Sequence, residues 1–138
     1  MKRFRLILCL ALLFVLMAGG VVAAKLRSNL NQDWAAMKGI LRINHGMPEW
    51  YFDREDPEQS RTVARLQRVY RLTDAKGSLL QVSDVYAMLD DDGEAKSKSN
   101  WRIRRDARGA HYLIRSGVLY SNDRDPYFVA IGRPLGRW

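Results

Sequence analysis

The feature that most constrains this chain is residues 6–24, Leu-Ile-Leu-Cys-Leu-Ala-Leu-Leu-Phe-Val-Leu-Met-Ala-Gly-Gly-Val-Val-Ala-Ala, an uncharged run of 19 residues behind Lys2, Arg3 and Arg5. At about 1.5 Å rise per residue, a helix of that length reaches across a hydrocarbon layer of about 30 Å. The run therefore predicts a membrane-spanning helix. The basic residues ahead of it predict an N-terminus held in the cytoplasm, with the rest of the chain exported. Val22-Ala23-Ala24 also suits a signal peptidase, so a removed signal peptide is the competing expectation. An anchor is preferred because helical spacing continues past the run. Leu26, Leu30, Trp34, Met37 and Leu41 recur at intervals of three and four, which predicts an amphipathic stalk and offers a parallel dimer seam on those five residues. Covering a sheet would demand the same stripe.

The chain beyond the run has room for one small domain, and an apolar content of 47% is that of a folded protein. The formal charge is +8, three units of it ahead of the run. The remaining basic residues are interleaved with acids, a pattern that suits an anionic surface or ligand and gives no support for nucleic acid. Cys9 is the only cysteine. It excludes an internal disulfide or a thiolate metal site in the rest of the chain. Leu8 stands where a lipoprotein needs a small residue before that cysteine.

The stalk is expected to end at Asn44-His45-Gly46, with Gly46 as a left-handed cap and Pro48 preventing continuation. Residues 49–57 read as a loop whose aromatics Trp50, Tyr51 and Phe52 tuck at least two rings onto the core. A short helix is expected over 58–66. From Gln67 the period shortens to two: strand, a turn at Ala75-Lys76-Gly77, and strand again make a β-hairpin. Asp84 is the expected cap of a short helix over 85–89. Residues 90–100 are polar and read as an exposed loop. Further strands are expected from Trp101, from Ala110 to Tyr120, and from Tyr127 to Pro134, separated by turns at Asp106-Ala107-Arg108-Gly109 and over 121–126. The expected fold is α+β: a transmembrane and stalk helix, then an antiparallel sheet of about five strands with short flanking helices. The boundaries are 1–27 for the anchor, 28–46 for the stalk and 47–138 for the domain.

Three blocks carry a resemblance: Tyr70-Arg71-Leu72-Thr73-Asp74-Ala75-Lys76-Gly77-Ser78-Leu79-Leu80, Trp101-Arg102-Ile103-Arg104-Arg105-Asp106-Ala107-Arg108-Gly109 with Tyr112-Leu113-Ile114-Arg115, and Tyr127-Phe128-Val129-Ala130-Ile131-Gly132-Arg133-Pro134-Leu135. In this order, behind an apolar helix, they resemble the PAS-like extracytoplasmic sensor segment of bacterial membrane-bound two-component histidine kinases. The resemblance implies a signal-sensing input module at the bacterial inner membrane, a homodimer through the stalk, and a kinase core beyond Trp138. That core and its second membrane helix are absent from these 138 residues, and no phospho-acceptor or nucleotide box occurs in them. The alternative is a stand-alone anchored or secreted small binding protein.

Candidate site residues are few. Arg102 and Arg104 share one strand face, and with Arg115 across from them they offer a clamp for a carboxylate, a phosphate or a lipid head group. His45 and Met47, joined by Met37, are the weak soft-metal candidates. The carboxylates of Asp90-Asp91-Asp92-Gly93-Glu94 lack the alternating spacing of a calcium loop. No nucleophile, base and orienting acid can be assembled, and nothing calls for a cofactor. An unknown small ligand, anion or metal is the expected partner.

Overall fold

The computed structural model describes residues 2–90 and 100–136. One helix, α1, runs from Lys2 to Ile40. Its first part stands clear of the rest of the molecule, with Phe4, Leu6, Ile7, Leu8, Leu10, Leu12, Leu13, Phe14 and Val15 all more than half exposed. Its last part is a packing element, in which Leu30 and Met37 are fully buried.

The membrane-spanning expectation for 6–24 is corrected here. Among the described residues no helix is long and apolar enough to cross a membrane. Beyond the run the same helix carries Lys25, Arg27, Asp33 and Lys38 and belongs to the domain core.

The stalk is also shorter than predicted, because Leu41–Asn44 is strand β1, paired with strand β2, Met47–Trp50. Leu41 and Ile43 are buried while Arg42 is exposed, the alternation of period two that a strand makes. His45 and Gly46 both take positive φ, 53° and 77°. They form the two-residue turn whose twist matches its strands, rather than a helix cap. Of the three aromatics only Trp50 is seen packed against the core; Phe52 is half-buried under Arg54 and Tyr51 is exposed, so the expectation of two rings on the core holds for one.

Helix α2, Pro57–Arg68, starts behind the N-cap Asp56, whose carboxylate accepts from the Glu58 amide. Strands β3, Tyr70–Asp74, and β4, Leu79–Val82, form the predicted hairpin. Gly77 supplies φ 84°, and the Asp74 carboxylate accepts from the amides of Lys76 and Ser78. Helix α3, Asp84–Ala87, is capped by Ser83 rather than Asp84, since the Ser83 hydroxyl accepts from the Tyr86 amide. The predicted loop at 90–100 lies outside the described residues except at its ends, and so does most of the acidic calcium candidate. Strands β5, Trp101–Arg105, β6, His111–Tyr120, and β7, Pro126–Pro134, complete the chain.

The main sheet has five strands in the order β4-β3-β7-β6-β5, antiparallel throughout. The α+β expectation of a five-stranded antiparallel sheet with flanking helices holds. One face receives α1: Leu30, Trp34, Met37, Leu66, Tyr70, Leu72, Leu113, Leu119, Tyr127, Val129 and Ile131 share one core cluster. The opposite face carries a smaller cluster, Val69, Tyr86, Leu89, Ile114 and Ala130, beneath α3. Burying a large side chain contributes about 1.5–3 kcal/mol, so the α1 face holds most of the fold's stability.

Candidate functional site

Register decides which arginines meet. Trp101 pairs with Arg115, Arg102 with Ile114, and Arg104 with Tyr112. Directly opposed residues of an antiparallel pair point to the same face. Arg102 and Arg104 therefore share the α3 face as predicted, while Arg115 lies on the α1 face beside Trp101. The three-arginine clamp is corrected: a pleated sheet stands between its members. Arg104 is buried, its guanidinium 5.2 Å from the Tyr86 ring centroid and its Nε 3.8 Å from Asp90. Arg71 contacts the same Tyr86 ring at 5.2 Å.

On the α1 face, Arg115 lies 4.9 Å from the ring centroid of Trp34 and 5.1 Å from that of Trp101. Arg27, two turns before Trp34 on α1, lies 4.8 Å from the same Trp101 ring. Guanidinium and indole thus alternate along the helix–sheet seam, each contact contributing about 0.5–2 kcal/mol. Gly117 makes the arrangement possible. A Cβ there would stand 2.7 Å from the Trp34 ring, so only glycine lets the indole lie against β6.

Neither Arg27 nor Arg115 has a carboxylate within ion-pair distance among the described residues. The Arg115 Nε is buried and has no hydrogen-bond partner among them. Burial lowers the pKa of the Arg115 guanidinium from its ordinary value, because a charge away from water lacks solvation. Stacking occupies the flat faces of a guanidinium and leaves its N–H edge to donate. Among the described residues only the two indoles stand against the Arg115 charge.

A second charged group was not singled out by sequence reasoning. Asp33 is buried between α1, α2 and β7. Arg65 donates to its Oδ1 from Nε at 3.2 Å and Nη2 at 3.0 Å, and Arg133 donates to both carboxylate oxygens. The signal was present: an aspartate beside Trp34, inside a stripe that must be buried, requires cationic partners.

The remaining candidates fall apart in space. Leu30, Trp34, Met37 and Leu41 of the dimer stripe are buried in this chain's own core, with Leu26 packed against them. As Leu41 sits in β1, the stripe faces the sheet and not a second helix. His45 and Met47 stand exposed on the β1–β2 hairpin, whereas Met37 is sealed in the core and cannot join them. Among the described residues no group of three or more His, Cys, Asp or Glu is placed to hold a metal ion.

No protein-family model, curated protein or solved structure matches this chain. The resemblance to histidine-kinase sensor segments is thereby corrected on two counts, since no family match supports it and no described helix is fit to span a membrane.

Proposed function

We propose that this chain is a small signal-input module that binds an anionic ligand at Arg115 and transmits its presence through α1. The observation that carries the reading is a guanidinium stacked between two indoles with no carboxylate to balance it among the described residues. Arg65 and Arg133, by contrast, are paired with Asp33. The ligand class is a small carboxylate or phosphate, which the free N–H edge would hold by charge-assisted hydrogen bonds.

Transmission depends on where the stack sits. Trp34 and Arg27 belong to α1, while Arg115 and Trp101 belong to the sheet. An anion drawing Arg115 toward itself weakens one helix–sheet contact and alters the seat of a rigid rod. The arm from Trp34 back to Cys9 is about 37 Å long, so a tilt of about 5° moves Cys9 by about 3 Å. A sheet with helices on both sides suits such an input role. The exposed apolar arm itself calls for an association surface. For it we propose peripheral contact with a lipid surface, because apolar side chains project on all sides of the rod and Arg3 and Arg5 flank it.

The test uses the full chain with 15N-labelled tryptophans, titrated with benzoate and with inorganic phosphate. Saturable shifts of the Trp34 and Trp101 indole N–H signals support the site, provided that Arg115→Met removes them. Unmoved signals with both anions, or shifts that survive Arg115→Met, contradict it.

A further inference from the structure

A second ligand position lies on the opposite side of the α1 core from the arginine stack. Trp50 of β2, Gln67 of α2, Tyr70 of β3, Gln81 and Val82 of β4, and Ser83 line a groove of about 390 Å³. That is the size range of pockets for one small organic molecule. Among the described residues no charged side chain lines it. Its floor is aromatic: the Trp50 and Tyr70 rings meet edge-to-face, 5.4 Å apart and 72° inclined.

Tyr70 is the informative residue. Its side chain is 4% exposed, yet its hydroxyl has no hydrogen-bond partner among the described residues. A phenol buried in this way normally finds an acceptor. Burial raises its pKa well above the ordinary phenol value, so the group is an O–H donor throughout the physiological range. The Ser83 hydroxyl already accepts from the Tyr70 and Tyr86 amides. The exposed Gln67 and Gln81 amides supply donors and acceptors at the rim.

We propose that this groove is a binding site for a neutral, planar small molecule that carries a carbonyl-type acceptor, the ring lying against Trp50 and the carbonyl accepting from Tyr70. The absence of charged lining residues separates it from the Arg115 site: an anion entering here would lose its hydration with no cation to replace it. The two sites thus select by charge, one taking anions and the other neutral rings. This inference stands independently of the signal-input reading.

Three probes of one shape and different charge test it: benzamide, benzoate and benzamidinium, each titrated into the full 15N-labelled chain. The four tryptophans give separate indole reporters. Benzamide is expected to shift Trp50 saturably with an affinity on the order of millimolar, as suits so small a ligand. Tyr70→Phe, which keeps the ring, is expected to weaken it about fivefold or more, and Gln81→Leu on the exposed edge strand to weaken it less. Benzoate moving Trp34 and Trp101 while leaving Trp50 still supports the division between the sites. The proposal is overturned if benzoate or benzamidinium shifts Trp50 as strongly as benzamide does. An unchanged benzamide affinity in Tyr70→Phe, or benzamide shifts that never saturate, also overturns it. Failure here with benzoate still reporting at Trp101 leaves the anion site standing.

Discussion

Each face of the sheet carries an aromatic ring contacted by two guanidinium groups, and the two clusters differ in what balances their charge. Beneath α3, Arg71 and Arg104 meet Tyr86, with Asp90 near Arg104, which is itself buried. Beneath α1, Arg27 and Arg115 meet Trp101, and Arg115 also meets Trp34, with no carboxylate among the described residues. The first cluster has a carboxylate beside it; the second has none among the described residues, and it joins the sheet to α1. Cation–aromatic contact alone does not distinguish support from recognition; on the proposed reading it is the missing counter-charge that marks the second cluster for recognition.

Substitutions separate the two clusters. The largest expected effect is at Asp33, which holds α1 to α2 and β7. Asp33→Ala leaves two partly buried arginines without their carboxylate and is expected to lower stability by about 3–5 kcal/mol, read by urea denaturation. Next comes Gly117→Ala. The new methyl drives the Trp34 ring off β6, with a stability loss of about 1–3 kcal/mol and a clear weakening of benzoate binding in the same titration.

Arg104→Met is expected to cost about 1–2 kcal/mol through lost stacking and packing while leaving benzoate affinity unchanged. If Arg104→Met weakens benzoate as much as Arg115→Met does, the distinction between the two faces is void. The smallest effect is that of salt. Raising ionic strength from about 0.02 to 0.5 M is expected to weaken benzoate binding several-fold and to leave benzamide binding in the Tyr70 groove unchanged.

Much of the fold was legible because it is local. The Gly77 and Gly109 turns, the hairpin of β3 and β4, and the three C-terminal strands arise from period-two patterning and turn residues that need positive φ. The β1–β2 hairpin was missed because Asn-His-Gly after a helical stripe reads equally as a helix end. Leu41 continued the stripe in spacing while it was already in a strand. Of the site, charge alone points to Arg115 but groups it with Arg102 and Arg104, which lie on the other face of the sheet. A single residue of register assigns a side chain to one face or the other, and register was not readable from the β5 and β6 sequences. Trp34, Trp101 and Gly117 were invisible as a set because their meeting depends on how α1 crosses the sheet.

On the proposed reading occupancy at Arg115 moves α1, and one distance measures it. Cys9 is the chain's only cysteine and is exposed on the outer part of α1, and Arg105→Cys places a second spin label on the exposed end of β5. The interspin distance is then measured by double electron–electron resonance with and without saturating benzoate. A displacement of about 3 Å or more is expected, and it disappears in Arg115→Met. An unchanged distance distribution under conditions where the Trp101 signal shows the anion bound would contradict it, leaving a binding protein that transmits nothing through its helix.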